Sequence, residues 1–546
     1  MLTRLRILIL TLLAFSLSLA ASAQTPTPSA LTLASMTPAN AMLYASVRTD
    51  AGFIETLDGL IGRISEPTTG FPMNNTIGSL LKSEDIRGWL GDSIAVFILS
   101  PTEEVTDSAD LLGLLAELKD RDAAIAYLDE NFGTPSMTLP NGYIGYRDSS
   151  GFNVVITENT LVAGQTSLNA VPLLRGETLM ESPDFQQALS ALPAGGDYPL
   201  LAYFNPHDAL ITAAPDLYAA LGEIDAPAFA ESVGVFAAGM RQLDGQSYAF
   251  DFTWSYGEGD MLTALNLPEI TLPTPPQLNP DFLNVVPANA QIVLQGVGLW
   301  TQFDAATRTS GILINALRSR ALVDEVLTQQ YYVLSYPTGL WGSAFLDLMV
   351  RGSLDLTSDQ LAAALDGDAA FAVRLSLLPN ERTSKVSVEY GTWVASRDNG
   401  SADLLAGGTA LLKMFGVPLT EQADSIGVEL PADLTGEESD SQLIQPSSMV
   451  WLATDALTYI GSDSLTLENK ETFVAVPRIT ERIEPIRPHL LDGATGFAWL
   501  DITGLAPLLK QADPSLKSAS EAFDSLFIST RQNDDSMTAR FAFTLK

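Results

Sequence analysis

Short apolar runs recur along this chain, broken by glycine, proline and asparagine turns and separated by amphipathic stretches. In the first half the pattern predicts strands at 42–48, 93–99, 111–118, 142–147, 152–157, 160–165 and 199–204, then a closing hairpin of 233–241 and 246–254. Helical periodicity falls at 51–64, 78–89, 167–174 and 182–191. A further helix starts near Asp122, with Ala124, Ile125, Leu128 and Phe132 on one face and Asp120 or Asp122 placed to cap it. Strands adjoin strands through short turns more often than they alternate with helices. The expected fold class is therefore α+β, with mainly antiparallel sheets and helices packed against them.

The same landmarks then return in the same order. Pro38-Ala39-Asn40-Ala41 and Pro287-Ala288-Asn289-Ala290 each lead into an apolar run, and Gly91-Asp92 and Gly367-Asp368 each open another. Phe132-Gly133-Thr134-Pro135 and Phe415-Gly416-Val417-Pro418 each close an amphipathic segment, where glycine takes the left-handed conformation and proline cannot continue the helix. Thr160–Gly164 parallels 456–461, Leu201–Asn205 parallels Phe497–Asp501, and Arg241-Gln242-Leu243-Asp244 parallels Arg531-Gln532-Asn533-Asp534. The shared order predicts a tandem duplication of one α+β unit.

Two polar, proline-bearing stretches divide the chain. Arg4 and Arg6, the apolar stretch Ile7–Ala20 and the small residues Ala21-Ser22-Ala23 read as a signal peptide over 1–23, with the mature chain starting at Gln24. A Thr/Pro spacer follows at 24–33. The first copy is expected over 34–266, a Pro-rich linker acting as a semi-rigid strap over 267–281, and the second copy over 282–546.

The 546 residues are long enough for two cores. Hydrophobic residues make up 46% and charged residues 17%, which describes a globular interior. There is no cysteine, so stability rests on burial, and thiolate metal sites and thiol chemistry are excluded. With 29 basic against 65 acidic residues the net charge is −36, which repels nucleic acid and anionic lipid. Charge leaves cations and basic or envelope polymers as favoured contacts. No integral membrane span is expected after signal cleavage.

Candidate chemistry dissolves on inspection. Ser79 and Lys82 have the spacing of a serine nucleophile and its lysine, and Tyr203-Phe204-Asn205 imitates a companion motif, but the third element of that enzyme class is absent. The only histidines are His207 and His489, neither near a nucleophile-turn motif, and paired-histidine zinc spacing does not occur. The acidic clusters Glu437-Glu438-Ser439-Asp440 and Asp534-Asp535 read as exposed turns, and Asp398-Asn399-Gly400-Ser401-Ala402-Asp403 lacks calcium-loop spacing. No phosphate-cradling glycine loop is present. The tryptophans lie in or beside apolar runs and read as core, apart from a few that would stack on sugars if exposed. No catalytic, cofactor-binding or metal residue, and no cofactor, is assigned.

Pro38-Ala39-Asn40-Ala41 before Leu43-Tyr44-Ala45, together with Trp89-Leu90-Gly91-Asp92 and Lys119-Asp120, resembles a bacterial exported family known only as a domain of unknown function. The resemblance covers most of the first copy; in the second, Leu365-Asp366-Gly367-Asp368 lacks the tryptophan. It implies an extracytoplasmic place, in the periplasm or cell envelope or outside the cell, and supplies no catalytic residues. The expected function is that of a non-enzymatic binding or structural component. The alternatives left open are an exported carboxylate-dependent hydrolase acting on glycans and a carrier of apolar ligands.

Overall fold

The computed structural model describes residues 31–55, 57, 59–60, 83–101, 111–138, 142–147, 151–164, 176–194, 197–213, 225–259, 261–264, 274–287, 290–302, 305, 351–352, 356–378, 385–396, 401–422, 424–429, 443–444, 448–453, 457–462, 480–512 and 520–546. The signal peptide, residues 24–30 of the Thr/Pro spacer, the 167–174 helix, Ser79, Lys82 and the Glu437–Asp440 cluster lie outside them, as do residues 78–82 of the 78–89 helix, of which Glu84–Arg87 is helical. The chain divides into two compact units, one of Met1–Asn266 with Asp535–Ala542 and one of Leu267–Asp534 with Phe543–Lys546. The cut falls at the start of the proline cluster, and the segment 535–542 is grouped with the first unit although it lies within the expected second copy.

The first unit is an α+β structure on an antiparallel sheet. Its strands are β1 (Ala41–Arg48), β2 (Leu90–Leu99), β3 (Leu112–Leu118), β4 (Met137–Thr138), β5 (Ile144–Arg147), β6 (Asn153–Ile156), β7 (Thr160–Gly164), β8 (Leu200–Phe204), β9 (Val235–Gln242) and β10 (Ser247–Ser255). They pair in the spatial order β4-β5-β6-β7-β3-β2-β1-β8-β9-β10. Its longer helices are α1 (Arg121–Phe132), α2 (Pro183–Ala191), α3 (His207–Ala213) and α4 (Ala226–Val233).

Alternation along β2, β3, β6 and β7 sends side chains into two cores on opposite faces of the sheet. On one face Ile94, Val96, Leu114, Ala116, Val154 and Leu161 pack with Phe53, Ile54 and Leu57 of the helical stretch after β1 and with Ala124 and Leu128 of α1. On the other, Ala95, Phe97, Leu115 and Val162 pack with Leu33, Leu179 and the α2 residues Phe185, Ala188 and Leu189. The second core continues under Tyr44 of β1, Leu201 and Tyr203 of β8, and Val235 and Ala237 of β9.

The second unit has β11 (Ile292–Gly296), β12 (Ala369–Leu378), β13 (Lys385–Ser396), β14 (Leu419–Gln422), β15 (Ser425–Glu429), β16 (Leu443–Ile444), β17 (Ser448–Ala453), β18 (Leu457–Ser462), β19 (Gly496–Asp501) and β20 (Phe523–Gln532). They pair in the order β14-β15-β17-β18-β13-β12-β11-β19-β20, all antiparallel, and β16 adds a short parallel pairing to β13. Helices α5 (Ser358–Leu365) and α6 (Ser401–Met414) share a small core with Trp451, and α7 (Ile502–Ala512) follows β19. The last strand is β21 (Ser536–Leu545). Among the described residues no helix is long and apolar enough to cross a membrane.

Turn and cap chemistry falls where the sequence places it. The Asp120 carboxylate accepts the Ala123 amide at 3.0 Å, and Gly133 ends α1 at φ 84°. Gly416 closes the segment after α6 at φ 69°. Gly91-Asp92 differs: β2 begins at Leu90, so both residues lie inside the strand, at a register break before Ile94. The Glu117 side chain packs on Gly91, and the Asp92 carbonyl accepts the Thr49 amide at 2.8 Å, so the pair forms an irregularity in the ladder. Gly367-Asp368 stays outside β12, where the Asp368 carboxylate accepts the Asn279 amide at 3.0 Å. The described part of the proline cluster is pinned to the second unit by Thr274 Oγ1 donating to Asp534 at 2.5 Å and the Leu278 amide donating to Ala494 O at 2.7 Å.

Replacing the α1 cap, Asp120→Ala, is expected to cost about 1 kcal/mol. Urea unfolding checks this: the midpoint falls, and the slope does not change.

Candidate binding face

The end of the first unit's sheet turns the usual alternation inside out. In β10, Ser247, Ala249, Asp251, Thr253 and Ser255 are buried, while Phe252 on the opposite face is 44% exposed and Phe250 and Trp254 are half-buried. In β21, whose residues 536–542 belong to this unit, Ser536, Thr538, Arg540 and Ala542 are buried, and Met537 and Phe541 are exposed. Strands β10 and β21 pair. Small and polar residues thus line the covered face, and large apolar ones line the open face.

The covered face is tolerable because its charges meet. Asp251 is fully buried, and Arg540 grips it with two parallel bonds, Nε to Oδ1 at 2.6 Å and a terminal nitrogen to Oδ2 at 2.9 Å. The Tyr198 hydroxyl donates to Oδ2 at 2.7 Å and accepts the Ala194 amide at 3.2 Å. Arg241 lies 3.6 Å from the same carboxylate and 5.9 Å from the Tyr198 ring centre. Gly239, opposite Asp251 in the ladder, leaves room for this tyrosine, since a Cβ there would overlap its ring. Burial pushes the Tyr198 hydroxyl well above its usual pKa, and Asp251 adds to the rise; burial does the same for Tyr44 and Tyr203.

On the open face the cross-strand register lines up Leu43 of β1, Phe204 of β8, Phe236 of β9 and Trp254 of β10. Phe204 and Phe236 stack with centroids 6.2 Å apart, and Phe236 and Trp254 stack at 5.7 Å. Phe252 lies 6.0 Å from Phe236, and Tyr256 meets Trp254 edge-on at 5.1 Å. The Trp254 indole N–H donates to Val233 O at 2.6 Å, so its polar edge is satisfied while the ring stays half-exposed. Phe204 is 38% exposed. This is the face that Ile94, Val96 and Leu114 share further along the sheet, where helices bury it. Such a row offers flat apolar area and ring faces that attract cations, and it holds no nucleophile or acid–base pair.

The residues singled out by sequence have structural occupations. Tyr203 is buried against the edge of Phe185 at 5.0 Å, and Asn205 donates to the Asp184 carboxylate at 2.8 Å. His207 opens α3, its amide donating to Asn205 Oδ1 and its Nδ1 lying 2.9 Å from Asp208. His489 lies in the short turn Arg487–His489 of the other unit. Asp534 accepts from Thr274, and the Asp535 carbonyl accepts the Tyr256 amide at 2.9 Å. In the second unit the buried Asp501 pairs with Arg482 at 2.5 Å and accepts the Gly504 amide at 2.9 Å, which starts α7. Among the described residues no group of three or more histidine, aspartate or glutamate side chains is placed to hold a metal ion. Of the tryptophans, read mostly as core, Trp89 and Trp499 are buried and Trp254 is half-buried.

No family model matches the chain, and no curated protein matches it. A solved structure, described as "Structure of crystal form I of TP0453", is similar at 13% identity over 43% of this chain and 81% of its own, with a TM-score of 0.23. That likeness is too slight to carry a fold or a function across.

Removing one partner of the buried pair, Arg540→Leu, strands the Asp251 charge and is expected to cost about 3–5 kcal/mol in urea unfolding. The double variant Asp251→Leu/Arg540→Leu should cost less than that single one, because no charge is left unpaired. A phenol whose pKa is raised by folding contributes stability that is complete below its unfolded value of about 10 and is lost as pH rises beyond it. Stability should therefore fall above about pH 10. Absorbance of the phenolates of Tyr44, Tyr198 and Tyr203 should appear together with unfolding, not ahead of it.

Proposed function

We propose that this chain is an exported, non-enzymatic binding protein of the bacterial envelope or extracellular space. In this reading it is built from two copies of one α+β unit, and the first copy takes apolar ligand chemistry on its aromatic row. The observation that carries the reading is the half-exposed row Phe204–Phe236–Trp254 with Phe252, set on a sheet whose other face buries Asp251 and Arg540. A sheet face kept apolar on the outside while charges are kept inside is the reverse of what solubility favours, and large exposed apolar patches mark interaction sites. The signal-like amino terminus supports export. The duplication is supported by the order of the landmarks and by ladders in which the strand after Pro-Ala-Asn lies between the next long strand and a late one, β1 between β2 and β8 and β11 between β12 and β19. The row also favours apolar ligands over the glycan hydrolase alternative, since the side chains it exposes are aromatic.

Nile red, an uncharged apolar dye, tests the reading with the full mature chain. The wild type should enhance its fluorescence, and Phe204→Ser/Phe252→Ser should lose most of that enhancement. Both positions are exposed, so the free energy of urea unfolding should change by no more than about 1 kcal/mol. Undiminished dye binding by the double variant would remove the row from the function.

A further inference from the structure

Resting on that reading, we infer that the natural occupant of the row is the apolar side of a positively charged, amphipathic polypeptide segment. Shape is the first ground. The row is flat and crosses adjacent strands, with ring centres 6.2 and 5.7 Å apart. Such a stripe matches the apolar ridge of an amphipathic helix, whose successive anchors recur about every 5 Å along one face.

Charge is the second ground and selects the partner. Residues 176–266, which supply β8, β9, β10, α3 and α4, contain thirteen acidic residues and a single basic one, Arg241. Arg241 is directed to Asp251 on the covered face, so it does not offset the acids around the open one. Those acids border the row closely in the chain. Asp208 sits in α3, four residues after Phe204, Asp225 caps α4, and Glu231 lies on α4, which ends two residues before β9 begins. Glu258 follows Tyr256, and the Glu231 carbonyl lies against Gly257. Asp225, Glu231 and Glu258 are exposed.

An apolar stripe bordered by carboxylates repels anionic amphiphiles and attracts apolar surface flanked by lysine or arginine. Exposed aromatic faces add attraction for those same cations. The arrangement favours a basic peptide over a lipid surface, because anionic headgroups are repelled and neutral ones gain nothing from the acidic border.

The probe is a fluorescent peptide of about 18 residues, leucine and lysine patterned as an amphipathic helix, titrated against the full mature chain. Two controls are the same pattern with glutamate for lysine and a lysine/serine peptide without leucine. The leucine/lysine peptide should bind. Its affinity should fall about tenfold with Phe204→Ser/Phe252→Ser, and about tenfold with Asp208→Lys/Glu231→Lys/Glu258→Lys. Raising salt from about 0.05 to about 0.5 M should weaken it further. The glutamate peptide should not bind, and the lysine/serine peptide should ignore the phenylalanine changes.

Equal binding of the glutamate peptide overturns the inference, and so does binding of the leucine/lysine peptide that is indifferent to the phenylalanine changes, which is attraction to an acidic surface alone. Binding of phosphatidylcholine vesicles in preference to the peptide also overturns it in favour of a membrane. If Nile red still reports the row while the peptide does not, this inference falls and the apolar binding reading stands. If neither probe senses the row, both fall.

Discussion

The carboxylate of Asp251 sets the terms for the end of the first unit's sheet. A fully buried charge is excluded unless partners surround it, and here Arg540, 289 residues further along the chain, supplies a bidentate grip while Tyr198 supplies a third bond. Satisfying that charge fixes several other choices. Tyr198 must lie flat across the sheet, so the residue beneath its ring is Gly239. The strand that brings Arg540 must keep its polar residues on the same side, which holds Ser536 and Thr538 inward. Alternation then leaves Phe252, Trp254, Met537 and Phe541 nowhere to go but the opposite face.

Whether that opposite face is buried depends on what crosses it. Over β2, β3, β6 and β7 both faces are covered, one by α2 and the short turn before β1, the other by α1 and the helical stretch after β1. The strands there read as nearly continuous apolar runs, as Ile94 to Leu99 does. Beyond β1 the first of these layers continues under β8 and β9, while on the other face Phe204 and Phe252 are exposed. The aromatic row is thus a partly exposed extension of a face that is core elsewhere in the same sheet. Its rings stack on one another in place of a helix, which limits but does not abolish their contact with water.

Much of this was legible from residue types alone, where local chemistry decides. The Asp120 cap, the Gly133 stop, the β9–β10 hairpin and the three short strands at 144–164 follow from side chains acting on their nearest neighbours. What escaped depends on distant residues. Gly91 looks like a turn glycine, and only the packing of Glu117 against it shows a strand irregularity. Nothing near Arg540 in the sequence announces a partner 289 positions earlier. The inverted face did leave a local trace, in that Asp251 stands in mid-strand on the same parity as Ser247, Thr253 and Ser255. Reading tryptophans in apolar runs mostly as core follows the commoner outcome for aromatics and passes over that trace.

The doubled landmarks and the inverted face bear on function in opposite ways. Pro-Ala-Asn, Phe-Gly-x-Pro and Arg-Gln-x-Asp recur in the same order in both halves of the sequence, and turn and cap residues of that kind maintain a scaffold. The Asp251–Arg540 pair is not among them. Of the repeated elements only Arg241 reaches it, and the residues that decide which face is apolar lie between the landmarks, where the halves of the sequence differ. A net charge of −36 over a scaffold of this kind keeps most of its surface polar and repels acidic partners. Burying one carboxylate with its own arginine spares the open face from charge, so the acids remain at its border and the rings at its centre.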